Sequence, residues 1–193
     1  KVVEIVKAMA TAKAKEWGKF EFEETKIGRL EHKVAKLEIV KLVPGVEWLN
    51  PYGLSGDHGI TMEEYTPFGV VGAILPVTHS VPTLSGNIIN IVAAGNAVVF
   101  NPHPGGARSA AMAVRAYNEA IHAALGIENL VCTVEKPSLD TFDALGAATR
   151  LATFIDDLSN WYVRRSRPRF WKSSDPAAHA TLFTCLSNVS LLL

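Results

Sequence analysis

Cysteine is nearly missing from this 193-residue chain: Cys132 and Cys185 are the only two, and they lie far apart. That excludes a disulfide-built scaffold and fits a reducing compartment. Long hydrophobic runs are missing as well. Gly, Pro or Asn interrupts every apolar stretch short of the about 18 residues that a spanning helix needs, so no membrane association is expected. Neither sign of charge is in excess, since Lys+Arg and Asp+Glu number 19 each. Binding to nucleic acid would therefore have to come from a local patch. Neither GxGxxG nor a Walker A sequence occurs, and Gly69 and Gly72 sit within an apolar run at the wrong spacing. Internal repeats and low-complexity tracts are absent. The opening KVVEIVKAMA has no initiator Met and no cleavable-signal layout, and reads as the middle of a longer sequence.

What is present suffices for a core. Hydrophobic residues make up 48% and charged residues 20%, in a length that suits one domain or two small ones. Val2, Val3, Val6, Met9 and Ala10 give residues 1–17 a helical stripe, and a second helical pattern covers about 29–42, closed by Pro44 and Gly45. Residues 44–66, rich in Gly, Pro, Asp and Asn, read as a connecting loop. The pattern then alternates. Strands are expected at Val70–Leu75, Ala97–Phe100 and Leu130–Val134, and helices at Pro82–Ala94, Gly106–Leu125 and 138–149. Continuously apolar strands alternating with helices predict right-handed βαβ units and a parallel sheet covered on both faces. Helical spacing returns at Ile155, Leu158, Trp161 and Tyr162, followed by the basic stretch VRRSRPRFWK, in which Pro168 should kink or end the helix. Ser173 to Pro176 carry helix-starting residues, and 177–193 are again apolar and helical.

Ligands of open α/β sheets bind beyond the carboxyl ends of the strands. Those ends here carry Pro76, Val77, Thr78 and His79, then Asn101, Pro102, His103, Pro104, Gly105 and Gly106. Both segments are stiffened by proline and lead into helix N-termini, whose free N–H groups suit an anion such as phosphate. Read otherwise, they are rigid turns and nothing more. His79 is either a structural turn residue or a hydrogen-bond donor to a ligand. Cys132 reads as a buried apolar strand residue. Asp156 and Asp157 match no metal-site spacing and read as a solvated helix start. The patch Arg164, Arg165, Arg167, Arg169 and Lys172, with Phe170 and Trp171 inside it, offers phosphate contacts and base stacking, or else an exposed helix face.

The stretch SGDHGITMEEYTPFGVVGAILPVTHSVPTLSGNIINIVAAGNAVVFNPHPGG resembles the CoA-acylating branch of the aldehyde dehydrogenases, and in particular the propionaldehyde dehydrogenase-like enzymes of bacterial microcompartments. Pro67-Phe68-Gly69, Ala94-Gly95-Asn96 and Asn101-Pro102-His103-Pro104 carry the resemblance, which covers about residues 1–140. It implies an α/β fold with a partial doubly wound, Rossmann-like sheet, N-terminal helices and a C-terminal all-α segment. The implied reaction turns a small aldehyde, NAD and coenzyme A into acyl-CoA and NADH. It further implies that residues 76–79 line the nicotinamide and oxyanion end, with His79 as oxyanion donor where the family prefers asparagine. Asn101, Pro102, His103, Pro104 and Gly105 would border the adenosine part that NAD and CoA share in turn. The family's nucleophilic cysteine lies downstream of the third strand, so the resemblance leaves it outside these residues, and the chain is expected to be inactive by itself. A cytoplasmic or microcompartment location follows from the same kinship, while a sheet of only three strands leaves a bare edge and predicts a marginal domain that is aggregation-prone or a homo-oligomer.

The remainder, ATRLATFIDDLSNWYVRRSRPRFWKSSDPAAHATLFTCLSNVSLLL, resembles the start of the anticodon-binding domain of isoleucyl-tRNA synthetases, with FIDDLSNWYVRRSR as the specific signature. The expected division is 1–140 and 141–193, with the seam within about 138–150. The resemblance implies weak RNA binding through 164–172, carried by Arg164, Arg165, Arg167, Arg169 and Trp171, as the alternative to the oxidoreductase reading or as part of a non-functional fusion.

Overall fold

The computed structural model describes residues 1–158, 163–165, 167–171 and 175–192. The described chain divides into two compact units, Lys1–Phe142 and Asp143–Leu193.

The first unit opens with three helices, α1 (Val2–Ala12), α2 (Ala14–Thr25) and α3 (Leu30–Glu38), the last continuing as a 3-10 turn over Ile39–Leu42. The expected single helix over 1–17 is thus two. Lys13 leaves helical geometry at φ −95° and ψ 6°, although its N–H still donates to the Met9 carbonyl. The break lets Val3, Val6 and Ala10 of α1 and Ala14, Trp17 and Gly18 of α2 reach one core. Lys26 adopts a left-handed conformation (φ 53°), and its N–H closes α2 on the Phe22 carbonyl.

Residues 44–66 are not simply a loop. They contain an antiparallel hairpin, β1 (Tyr52–Gly56) and β2 (Gly59–Glu63), paired from Tyr52 with Glu63 to Gly56 with Gly59. The turn-forming composition concealed a two-residue alternation in which Tyr52, Leu54, Ile60 and Met62 are spaced by Gly, Ser and Thr. Every residue of both strands is exposed.

Three parallel strands follow, β3 (Val70–Leu75), β4 (Ala97–Pro102) and β5 (Val131–Thr133), in that spatial order. Helices α4 (Ser80–Ala93) and α5 (Ala107–Leu125) make the two crossovers. Asn96 ties this unit together at its base. Its Oδ1 accepts from the N–H groups of Phe68 and Gly69, and the Ala97 N–H donates to the Gly69 carbonyl at 2.8 Å. Beside it Gly95, at φ 81°, approaches Pro67 so closely that a Cβ would lie 3.4 Å from the ring. The Pro67-Phe68-Gly69 and Ala94-Gly95-Asn96 motifs are therefore two halves of one brace.

Among the described residues of the first unit, helices cover one face of the sheet and not the other. Helices α4 and α5 pack on it and on each other, and α1, α2 and α3 pack over them. Val81, Leu84, Ile88, Ile89, Val98, Phe100, Ala113, Tyr117 and Ile121 form the core between the layers. Tyr117 meets Trp17 edge to face at 5.2 Å and shares a 2.7 Å hydroxyl hydrogen bond with Ser85, while burial pushes its phenol well above the ordinary range. On the opposite face Val70 and Ile74 remain 69% and 55% exposed. Cys132, paired with Val99, is half-buried instead of buried. Continuous apolarity gave the strands but could not say that both sides were filled.

After β5, α6 runs over Leu139–Asp157, longer than expected, so that Asp156 and Asp157 end a helix instead of starting one. In the second unit α7 (Arg167–Trp171) carries Pro168 in its first turn, where the missing N–H has no intrahelical partner to lose. Helix α8 (Pro176–Leu192) starts as its sequence suggests: the Asp175 carboxylate accepts from the Ala177 N–H at 2.9 Å, with Pro176 at the first helical position. Trp161, Tyr162 and Lys172 lie outside the described residues.

The contact between α2 and α3 has a direct test. A Cβ at Gly18 would lie 3.0 Å from Val34 Cγ2 and 3.1 Å from the Val34 backbone nitrogen. Gly18→Val is expected to lower unfolding free energy by about 1–3 kcal/mol, read as a lower midpoint in urea.

Candidate functional site at the strand ends

The carboxyl ends of β3 and β4 lie side by side, with Ile74 opposite Asn101 and Leu75 opposite Pro102. The His103 N–H donates to the Leu75 carbonyl at 2.9 Å and joins the two turns. Gly105 completes the junction, since a Cβ there would lie 3.2 Å from Val77 Cγ2. The sequence-derived residues 76–79 and 101–105 therefore form one continuous ledge. Thr78, His103, Pro104 and Gly105 are exposed on it, Pro76, Val77 and His79 are half-buried, and Asn101 and Pro102 are buried. The Asn101 side chain is engaged within the fold: its Oδ1 accepts from the Thr141 hydroxyl at 3.1 Å. His103 Nδ1 accepts from the Gly105 N–H at 3.0 Å and shapes its own turn.

The helix N-termini differ from expectation. They are not open to phosphate, because α2 has already supplied each with a carboxylate. Glu21 Oε1 accepts from the Ser80 N–H at 2.8 Å, at the start of α4. Glu24 accepts from the N–H groups of Arg108 and Ser109 at 2.9 and 2.7 Å and also from the Ser109 hydroxyl, at the start of α5. A carboxylate there satisfies orphan donors and meets the positive end of the helix dipole. One turn apart on α2, the two side chains anchor both crossover helices. A ligand phosphate would have to displace them.

Behind the ledge lies an ion pair. Lys33 of α3 is 2% exposed and Glu21 is fully buried, with 2.9 Å between Nζ and Oε1. Lys33 Nζ also donates to the Thr78 carbonyl at 3.1 Å. Neither residue figured in the sequence reading, where both look like ordinary helix-surface charges. The available signal was positional. Glu21 continues the Ala14–Trp17–Gly18 stripe, and Lys33 occupies the same stripe of α3 as Leu37 and Val40. A charge on an apolar stripe needs a buried partner.

His79 is the N-terminal flanking residue of α4, which begins at Ser80 and not at Pro82; Pro82 falls in the first turn. Its Nδ1 lies 2.7 Å from the Thr78 hydroxyl. Desolvation, followed by the nearby Lys36 ammonium, holds its imidazole below the ordinary value of 6.5. The ring is thus neutral at pH 7. When the Thr78 hydroxyl donates to Nδ1, the ring proton sits on Nε2 and can be donated to an anionic oxygen.

In the second unit Arg164, Arg165, Arg167 and Arg169 are exposed. Arg169 pairs with Asp175 at 2.7 Å, which leaves it less available to phosphate than the sequence suggested. Phe170 packs edge to face on His179 at 5.1 Å. The side chain of Trp171 lies outside what the structure describes. Among the described residues no cluster of His, Cys, Asp and Glu could hold a metal, and no helix is long and apolar enough to cross a membrane.

Two outcomes follow from the caps and the histidine. Glu24→Ala is expected to remove about 0.5–2 kcal/mol of stability, as loss of an N-cap does, in a thermal melt. A histidine whose folded value lies below its unfolded one binds protons more readily when unfolded. Its contribution is therefore complete above the unfolded value and lost as pH falls through the folded one. His79→Gln is expected to flatten that part of the stability profile below pH 6.5.

Comparison with known proteins bears on both units. An acetaldehyde dehydrogenase (acetylating) of Bilophila wadsworthia is 32% identical over 156 residues, which are 80% of this chain and 32% of that protein. The crystal structure of Rhodopseudomonas palustris propionaldehyde dehydrogenase with bound CoA and an acylated cysteine superposes with a TM-score of 0.70 at 40% identity, covering 75% of this chain and 34% of the other. An isoleucine–tRNA ligase of Thermobifida fusca is 51% identical over 71 residues, 35% of this chain and 7% of the ligase. The two sequence matches together exceed the chain, so they overlap. The chain spans about a third of the length of its dehydrogenase relative. Residues 4–147 match the aldehyde dehydrogenase family, and with most of its length so matched the chain belongs to that family.

Proposed function

We propose that the first unit is the cofactor-binding part of a CoA-acylating aldehyde dehydrogenase, in which NAD and coenzyme A occupy the ledge formed by residues 76–79 and 101–105. The observation that carries this reading is the joining of the two strand-end turns by the His103 N–H and by Gly105 against Val77. The exposed His103-Pro104-Gly105 tip admits an adenosine to close range of the backbone. The occupied N-termini of α4 and α5 argue that phosphates are held elsewhere than on the Ser80, Arg108 and Ser109 N–H groups. Kinship with a structure holding CoA supports the same assignment.

NAD supplies a hydride acceptor for the oxidation of a small aldehyde. This chain's own residues position and polarise. Pro76 and Val77 fix the turn, and neutral His79, with Thr78 on Nδ1, presents Nε2–H to the oxygen on which negative charge develops. Cys132 has no part in this. It lies in the edge strand β5, paired with Val99 of β4, with its sulfur 3.6 Å from the Asn129 carbonyl, and not on the ledge of residues 76–79 and 101–105.

A homo-oligomer is part of the proposal. The hairpin β1–β2 exposes Tyr52, Leu54, Ile60 and Met62, and an isolated two-stranded hairpin is marginal in water. A second copy of the chain is the proposed partner. Kinship with a propionaldehyde dehydrogenase of a bacterial microcompartment supports a location in the bacterial cytoplasm or a microcompartment. One observation favours a second reading for the second unit: exposed Arg164, Arg165 and Arg167 in a chain partly similar to isoleucine–tRNA ligases support weak RNA binding there.

Titration of NAD, CoA and tRNA into wild type, Gly105→Trp and Arg164/Arg165/Arg167→Ala at two salt concentrations separates the readings. Millimolar binding of NAD, about −4 kcal/mol, is expected for wild type. It should be weakened by Gly105→Trp and unaffected by the arginine changes. RNA binding should show the reverse dependence and fall steeply with salt. Loss of NAD binding in the arginine variant with retention in Gly105→Trp would contradict the placement of the cofactor.

A further inference from the structure

We propose that Glu21 and Lys33 are positioning residues for His79: together they clamp the peptide groups on both sides of it and fix where its imidazole can donate. The inference rests on the reading of residues 76–79 as the cofactor-facing turn.

The clamp has two jaws. Lys33 Nζ donates to the carbonyl of Thr78, immediately before the histidine, at 3.1 Å. Glu21 Oε1 accepts from the N–H of Ser80, immediately after it, at 2.8 Å. The jaws are bonded to each other at 2.9 Å. They come from different helices, α2 and α3, so the turn is referenced to a rigid layer outside its own βαβ unit. Neither can swing away, because Glu21 is fully buried and Lys33 nearly so.

Stability alone does not account for this arrangement. A buried ion pair loses the hydration of both charges and is often matched or bettered by apolar residues of similar volume. Trp17, Gly18, Leu37 and Val40 show that these stripes are otherwise apolar. Glu21 Oε2 is moreover buried with no hydrogen-bond partner among the described residues, a further penalty. What the charges provide, and apolar residues could not, is one acceptor and one donor directed at two peptide groups of the same turn.

The charged groups facing His79 are Glu21 from α2 and Lys33 and Lys36 from α3. Glu21 raises the ring's proton affinity, while both lysines lower it. The clamp thus sets the histidine's position and part of its protonation, which gives a readout that a purely structural pair would not move.

The test uses the 193-residue chain and its variants Glu21→Gln, Lys33→Met and Glu21→Leu/Lys33→Met. The measurements are ring-nitrogen NMR of His79 against pH and amide exchange of Ser80. Lys33→Met is expected to shift the His79 midpoint up and Glu21→Gln to shift it down. The double variant removes both charges, so it is expected to fold even where the single variants do not. Its Ser80 amide is expected to exchange about tenfold faster, and its ring to lose its tautomer preference. The two charge effects on the ring oppose each other, so the double variant is read by tautomer and exchange: if folded with wild-type tautomer and Ser80 protection, it overturns the proposal. NAD binding by His79→Ala separates the two levels. If it is unchanged while the clamp variants behave as expected, the clamp stands and the cofactor reading falls. If it is lost while the clamp variants leave the ring unaltered, the clamp falls and the cofactor reading stands.

Discussion

The buried pair of Lys33 and Glu21 is the constraint from which most of the first unit follows. Two opposite charges at 2.9 Å, both out of water, must be held by everything around them. Removing either alone would leave an uncompensated charge at a cost of about 3–5 kcal/mol. The pair links α2 to α3, which also approach closely at Gly18, where a Cβ would lie 3.0 Å from Val34 Cγ2. It also fixes α2 against the sheet domain, where Trp17 meets Tyr117 and Glu24 reaches the start of α5. Helix α2 is thus the reference element, and both crossover helices are registered to it by carboxylates one turn apart.

This arrangement changes what the strand-end turns can do. Free helix N-termini would make a phosphate cradle; capped ones make a rigid ledge. Its distinctive contributions are shape, from the Pro and Gly residues of 101–106, and a neutral donor, from His79. The second unit has a different chemistry, with exposed arginines and a partial similarity to isoleucine–tRNA ligases. Among the described residues, the hydrogen bonds that shape residues 76–79 and 101–106 come from within Lys1–Phe142.

The parallel sheet and its two crossovers were legible in the sequence because Val70–Leu75 and Ala97–Phe100 are short apolar runs closed by Pro, Asn and Gly, with helix-period segments between them. The hairpin was not legible, because its alternation is built on Gly and Ser and its apolar side chains face outward. Coverage of the sheet was overestimated for a related reason: Val70 and Ile74 have strand chemistry whether or not anything lies over them. That residues 76–79 and 101–105 follow the carboxyl ends of two strands was legible from the strand–helix alternation, and the structure places those two ends side by side. Glu21, Glu24 and Lys33 could not be found that way. Their partners lie from 12 to 85 residues away in sequence, and the only local clue was a charge on an apolar stripe.

The central claim is that the ledge binds a nucleotide through residues 76–79 and 101–105 while α2 keeps the helix N-termini for itself. Amide NMR of the chain during NAD titration tests it most directly. The account predicts shifts concentrated at Thr78, His79, His103 and Gly105, with the Arg108 and Ser109 amides, bonded to Glu24, left in place. Shifts centred on Arg108 and Ser109, or confined to Arg164–Arg169, would contradict it.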